Sequence, residues 1–516
     1  MAEKNTKIAG VIDIGSSSIK LMIAQEAGGD FKIVESLKNS IPIGKDTFFK
    51  DRLSPETINQ AISILEKYKQ VIKEYEVAEV SIIATTAVRE AFNRDIFVDT
   101  VLRKTGLTVD VLTAGDVVYY IDSYLSHHLK DAYPVHSKNL LIVELGAGSL
   151  DVSVMEKGFT LFNMGLPIGT LRLKQALGRL EGNREEIIEA LREYIESEFA
   201  YLKRSMPKIA IDDVILIDET HASYVQNILS HKKWEPRFFQ FSREDAAELG
   251  TRISDMTPEE LTRAHKVPLE IADALNVYQV IIDAFLGMAS NNYIYILQAS
   301  LSEAVLANIL LGYDLSPKYN KINQLVSITS FICRKYEVDI NHAQQVALLS
   351  EKLFNHCKDI LGLKKADLIY LILAAHLHDI GAFIFNRSHH KHSEYIVSSL
   401  NLFRLSTEEI NMIACLSRYH RKAHPSDAHL VYRSLPKARQ MLVQKLSAIL
   451  RIANALDRSH RQKVKELEVI PGKGQELTLA VQAAANFVLE KADFHEKKGL
   501  FEEITGSRIT LKVKAV

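Results

Sequence analysis

The first third of the chain alternates apolar β-branched runs with amphipathic stretches. Residues 8–14 form such a run and end in Gly-Ser-Ser-Ser, while 20–24 and 31–38 read as further strands of a hairpin-rich sheet. Residues 54–75 carry helical periodicity and open on Ser54-Pro55-Glu56, with serine at the N-cap and proline at the first helical position. A strand at 79–84, a helix at 91–105 and a strand at 109–112 follow. A second cycle then begins: the apolar run 139–145 ends in Gly146-Ala147-Gly148-Ser149, and 150–155 is its hairpin partner. Helices at 169–177 and 184–203 lead to a strand at 213–218. A strand followed by a glycine-serine turn thus occurs twice, at 13–18 and 144–151, which predicts two related α/β lobes in tandem.

From about residue 270 the periodicity becomes helical. Helices are expected at 269–289, 342–361, 366–378, 394–402, 407–419 and 437–460, and strands return only at 465–470, 477–481 and 508–513. For 516 residues, at roughly 100–200 per domain, three or four domains are expected. The boundaries read as 1–124 and 125–305 for the two lobes, 306–464 for an all-helical domain and 465–516 for a small α+β domain.

Composition adds exclusions. A hydrophobic share of 47% and a charged share of 25% are globular values, so disorder as the main state is excluded. The net charge of −1 supplies no field for nucleic acid or a membrane surface. Cys333, Cys357 and Cys415 are too few for a disulfide framework and fit no zinc spacing. No leader-like apolar segment and no run of about 18 apolar residues is evident. A cytoplasmic protein without membrane or nucleic-acid partners is the expectation.

The two turns carry the first candidate chemistry. Asp13-Ile14-Gly15-Ser16-Ser17-Ser18 and Glu144-Leu145-Gly146-Ala147-Gly148-Ser149-Leu150-Asp151 each leave a strand with a carboxylate beside glycines and hydroxyls. Glycine lets the backbone approach a phosphate, and amides and hydroxyls donate to it. Neighbouring carboxylates can hold Mg²⁺ or orient water. Neither turn is a P-loop, since Gly-Lys-Ser/Thr is missing. Two acidic hairpin turns would explain either one alone; their equivalent placement favours phosphate.

Ala84-Thr85-Thr86-Ala87-Val88-Arg89-Glu90-Ala91-Phe92-Asn93 resembles the Ala-Thr-Ser-Ala-x-Arg-Glu-Ala-x-Asn segment of the exopolyphosphatase/guanosine pentaphosphate phosphatase (Ppx/GppA) family, with the two turns in the expected places around it. The likeness continues through Ala375–Gly381, His390-Lys391-His392-Ser393 and Arg418-Tyr419-His420-Arg421-Lys422. The resemblance implies two actin-like, ribonuclease H-like lobes, a helical HD-type domain, a small C-terminal domain and a homodimer. It also implies Mg²⁺-dependent release of phosphate from polyphosphate or pppGpp. Asp13, Glu144 and Asp151 would be catalytic. Gly15, Ser16, Ser17, Ser18, Arg89, Gly146, Gly148 and Ser149 would hold phosphate.

Several positions depart from the family pattern. Where the family keeps a Glu-Glu pair, the second member being its catalytic base, an ungapped comparison places Asp116 and Val117. A valine accepts no proton. Ala147 replaces a turn glycine, Ile217-Asp218-Glu219-Thr220 stands for a glycine-rich third turn, and Tyr119 and Tyr120 are expected to fill the former cleft. A weak or silent N-terminal site is therefore expected.

The helical part carries the second candidate. His342, the His378-Asp379 pair and Asp457 occur in the order that resembles HD metal-dependent phosphohydrolases, with His420 and His392, or His390 in its stead, as the additional ligands of two-metal members. Imidazoles mixed with carboxylates lean toward Mn²⁺, Fe²⁺ or another transition metal. Asp379 would be both ligand and catalytic group, while Arg418, Arg421 and Lys422 would neutralise phosphate. His376, His389 and His424 read as bystanders. The functional expectation is a phosphohydrolase acting on polyphosphate or guanosine penta- or tetraphosphate; the alternative is a non-catalytic sensor of such a ligand.

Overall fold

The computed structural model describes residues 7–129, 132–178, 183–312, 320–421, 423–472, 476–483 and 486–515, so Lys422 lies outside the described residues. The chain divides into two compact units, Met1–Lys321 and Ile322–Val516.

The first unit holds two sheets. In one, β1 (Ile8–Ile14), β2 (Ser18–Ala27) and β3 (Asp30–Ser40) form an antiparallel meander, and β4 (Glu79–Ala84) and β5 (Asp110–Val111) continue it in parallel, in the order β3-β2-β1-β4-β5. In the other, β6 (Asn139–Leu145), β7 (Leu150–Glu156) and β8 (Phe159–Leu166) repeat the meander, with β9 (Asp213–Ile217) parallel to β6. The edge strand β10 (Phe238–Ser242) and β11 (Tyr293–Leu297), which lies between β10 and β9, complete that sheet. The sequence pattern did not mark β8, β10 or β11.

The repetition holds at the level of register. Asp13 pairs with Lys20 and Ile14 with Ile19 across β1 and β2; Glu144 pairs with Asp151 and Leu145 with Leu150 across β6 and β7. Both turns close with the same bond, Gly15 N–H to the Ser18 carbonyl at 3.0 Å and Gly146 N–H to that of Ser149 at 2.9 Å. β1 and β6 read as nearly continuous apolar runs because both faces of these central strands are covered. The helix Pro55–Glu74 helps to cover the first sheet with Ile58, Ala61, Ile62 and Leu65, and its start is fixed by Ser54, whose hydroxyl accepts the Thr57 amide. Such a cap contributes about 1 kcal/mol.

The second unit packs the helices Ile340–Leu361, Leu368–Leu377, His389–Ser398, Thr407–Tyr419 and Lys437–Ala455 together. Its sheet, in the order β12 (Val464–Pro471), β13 (Glu476–Ala483) and β14 (Arg508–Ala515), carries the helices Val488–Lys497 and Gly499–Thr505 as the crossover that the parallel β13–β14 pair requires. The helical stretch Lys365–Phe383, 19 residues long, is apolar enough on average to cross a membrane although Lys365, Asp367 and Asp379 interrupt it, and the expectation of no long apolar run passed over it. It is mostly buried inside the unit, where its central turns contact the helices on either side. Other differences are of boundary. The expected helix at 269–289 breaks into Leu269–Ala272 and Leu275–Leu286, the one expected at 394–402 begins five residues earlier at His389, and the last long helix ends at Ala455, leaving Asp457 in the turn beyond it.

Candidate functional site

In the first unit the two glycine-serine turns face each other across a cleft, whose lining includes Asp13, the residues Gly15 to Ser18, Glu144, Gly146, Gly148, Ser149 and Asp151. Gly148 permits that approach: a Cβ there would lie 2.5 Å from Ser16 Oγ and 2.7 Å from the Phe48 ring. Thr86 and Ser149 are joined across the gap by a buried hydroxyl–hydroxyl bond of 2.7 Å, and Ser149 in turn donates to Asp151 Oδ2 at 3.0 Å. Arg89 donates to the Leu112 carbonyl at 2.8 Å and to Thr86 Oγ at 3.1 Å. It acts on the cleft through its charge beside Asp151 rather than as one of its lining residues.

The cleft is crowded with acid. Burial pushes Asp13 up to about 6, against the pull of Lys20. Burial, together with Asp151 and Asp13, holds the Glu144 carboxyl well above the usual range. Burial likewise pushes Asp151 up to about 6, opposed by Arg89. Asp13 Oδ1 and Asp151 Oδ1 are buried without a hydrogen-bond partner. Lys20, a residue the sequence pattern did not single out, bonds to Glu219 while facing Asp13 across the hairpin.

At the position of the family's base, Val117 lines the cleft and Asp116 does not. Asp116 is the third residue of the helix Ala114–His128, and its Oδ2 accepts both the amide and the hydroxyl of Thr113, at 2.9 and 2.8 Å, in a capping box. Tyr119 and Tyr120 are buried on the same helix and are not among the lining residues, so they do not fill the cleft. In the altered third turn Asp218 Oδ1 accepts the amides of Thr220 and His221, both at 2.9 Å. These residues do not fit the expected Mg²⁺. An ammonium stands within the carboxylate group, and among the described residues the sets of three ligand atoms within 4.8 Å of one another both lie in the second unit.

In the second unit four imidazoles surround Asp379. His378 Nε2 and His342 Nε2 lie 3.3 and 3.9 Å from Oδ2; His389 Nε2 and His420 Nε2 lie 3.2 and 3.5 Å from Oδ1. Each ring is oriented through its other nitrogen. Nδ1 of His378, His389 and His420 donates to the carbonyls of Ala375, Asn386 and Ser417 at 2.8, 3.0 and 2.7 Å, and Nδ1 of His342 donates to Asp457 Oδ2 at 2.9 Å. A carbonyl can only accept, so Nδ1 carries the proton and Nε2 presents a lone pair. The Nε2 atoms of His342 and His378 are buried with no hydrogen-bond partner. Around a cation with bonds of ~2.1 Å, neighbouring ligand atoms sit about 3.0–3.5 Å apart. The donor set therefore fits a divalent cation.

Asp379 is held well below the usual carboxylate range because His378 and the neighbouring rings outweigh its burial. Burial, then His378, drives His420 well below its ordinary value, which keeps it a neutral donor.

The expected ligand set is altered in two places. His389, expected to be a bystander, faces Asp379, whereas His390 and His392 belong to neither cluster of converging ligand atoms. The helix starts at His389, and a step of about 100° per residue turns His390 away and leaves His392 about 60° short of a full turn. Asp457 accepts from His342 and from the Gln462 amide at 2.7 Å, which makes it an orienting group. His460, which no motif flagged, stacks on His342 at 3.6 Å between ring centroids and belongs to the cluster on that side.

Of the basic residues, Arg418 is committed to an ion pair with Glu394, and Arg421 has no ion pair among the described residues. Buried Arg451 donates to the Arg421 carbonyl and fixes that segment. Lys497, buried on the helix Val488–Lys497 and close to His378 and His420, is paired with Asp493 at 2.7 Å.

The family model described as the Ppx/GppA phosphatase family matches residues 22–312, and that of its domain III matches 326–498. The chain belongs to the Ppx/GppA phosphatase family. Its Ppx/GppA relatives include the guanosine-5'-triphosphate,3'-diphosphate pyrophosphatases of Vibrio vulnificus, 20% identical over 93% of both chains, and Pseudoalteromonas translucida, 23% identical over 86% of both. Among solved structures, the Aquifex aeolicus Ppx/GppA family member superposes with a TM-score of 0.52 at 23% identity, covering 60% of this chain and 100% of that one. An exopolyphosphatase from Cytophaga hutchinsonii gives a TM-score of 0.53 at 22% identity, covering 59% and 98%. Both share the actin-like Ppx/GppA fold of the first unit.

Proposed function

We propose that this Ppx/GppA family member is a phosphohydrolase whose chemistry sits in the second unit, in an HD-type metal centre built on Asp379. The first-unit cleft would bind a phosphorylated ligand, polyphosphate or a guanosine penta- or tetraphosphate, with little or no turnover. The observation that carries this reading is the convergence of the four histidine Nε2 atoms on one carboxylate, each ring pinned through Nδ1. Lone pairs aimed at one point repel one another unless a cation takes them up.

Asp379 would serve two positions, one with His342 and His460 and one with His389 and His420. These residues would hold a divalent cation, which would supply Lewis-acid activation of water at neutral pH. The rest falls to the chain itself. Nδ1–H bonds to Asp457, Ala375, Asn386 and Ser417 hold the four rings in their ligand tautomer, and Arg421, beside His420, would supply positive charge to phosphate oxygens. The test is phosphate release from a panel of polyphosphate and guanine nucleotides with Mn²⁺ or Mg²⁺. Release should survive Asp13→Ala and disappear in Asp379→Ala; the reverse pattern would return the chemistry to the cleft.

The sensor reading has one observation in its favour, the Val117 side chain where a base would be needed. It predicts ligand binding with no phosphate release from the wild type under any metal.

A further inference from the structure

The two hairpins of the first unit share one register but not one charge pattern. At the equivalent cross-strand positions the second lobe pairs acid with acid, Glu144 with Asp151, while the first pairs acid with base, Asp13 with Lys20. The register puts Lys20 on the same face of the sheet as Asp13 and aims it into the cleft, where it bonds to Glu219 and feels Glu144 as well. A second lysine, Lys38, lies opposite Lys20 on β3 and lines the same cleft. Asp13, Glu144 and Glu219 thus have Lys20 as a fixed cation facing them, and Asp151 has Arg89. Val117 removes a further carboxylate that could have recruited a metal.

Resting on the reading of this cleft as a phosphate site, we propose that it takes its ligand's phosphate groups without a divalent cation, the Lys20 ammonium standing where that cation would stand. A phosphate chain entering between the turns meets the amides and hydroxyls of Ser16 to Ser18 and of Gly148 and Ser149, with Lys20 and Lys38 on the side of the first sheet. A metal would have to enter against a fixed positive charge that already neutralises its ligands. The class of ligand is a bare polyphosphate chain, free or carried on a nucleoside, rather than its magnesium complex.

The test uses the full chain carrying Asp379→Ala and inorganic tripolyphosphate as the probe, with affinity measured by calorimetry in excess chelator and again in excess Mg²⁺. The expected result is binding in chelator at least as tight as in Mg²⁺, weakened tenfold or more by Lys20→Met. Lys20→Arg, which keeps the charge, should stay within about threefold of the parent and covers the case in which the methionine variant misfolds. Binding that is tenfold tighter in Mg²⁺ and is lost in Asp13→Ala would overturn the inference while leaving the cleft a phosphate site. Unchanged affinity in a folded Lys20→Met protein would also overturn it. No binding in either buffer would remove both the inference and the reading beneath it.

Discussion

His342 donates its Nδ1 proton to Asp457 Oδ2 at 2.9 Å, so the last aspartate of the HD-like series acts on the centre through a ring rather than by itself. Asp457→Asn keeps an acceptor but removes the charge that raises the basicity of His342. The metal affinity of the second unit should fall by ~10–100-fold while the protein stays folded. Competition with a chelator of known affinity measures this, and an unchanged affinity would remove Asp457 from the centre.

His389 and His392 stand three residues apart, about 60° short of a full turn, and should behave differently. His389→Ala removes an Nε2 atom 3.2 Å from Asp379 and should weaken metal binding, and His392→Ala should leave it intact. Equal losses in the two variants would mean that the helix is rotated from the register described above.

Arg421, next to His420 and without an ion pair among the described residues, is the cation on that side of the centre, since Lys497 is paired with Asp493 at 2.7 Å. Arg421→Met should raise KM for a phosphorylated substrate several-fold with a smaller effect on kcat, because the charge serves ground state and transition state alike. A pure kcat effect would point to the metal centre instead.

The carboxyls of the first unit set a pH dependence. Burial raises Asp13 and Asp151 from 3.8 to about 6 and Asp122 to about 7. A carboxyl whose folded pKa lies above its unfolded one favours the fold when protonated. Its contribution is complete below the unfolded value and is lost as pH rises through the folded one. Each shift of this size corresponds to at most ~3–4 kcal/mol. Hydrogen exchange on the full chain, corrected for intrinsic rate, should show β1, β2, β6 and β7 better protected at pH 5.5 than at pH 8. Equal protection would mean that these groups are solvated in the folded state.

Much of this architecture is legible in the sequence because it rests on local signals. The paired turns show as glycine and serine after β-branched runs, and the helix Pro55–Glu74 announces itself through its cap. What stays hidden depends on phase. Whether Asp116 or Val117 faces the cleft is decided by the Thr113–Asp116 capping box, which fixes where the helix starts. Likewise the start at His389 selects that residue over His390 and His392, and the end of the last long helix at Ala455 frees Asp457 and His460 to turn back toward His342. Lys20 needed the hairpin register, since six residues separate it from Asp13 and neither has a motif that names the other.

The bond between Thr86 and Ser149 bears on the choice between enzyme and sensor. It joins the two lobes directly and is seconded by Arg172, which holds the Gly148 carbonyl at 2.8 Å and pairs with Glu90 of the other lobe. A ligand moves a conformational equilibrium only to the extent that it prefers one state over another. Here the protein's own side chains already clasp the jaws together, so a phosphate chain bound there would meet lobes that are joined without it. Such a cleft has little travel with which to report occupancy, and it is better suited to gripping a polyanion than to signalling that one has arrived.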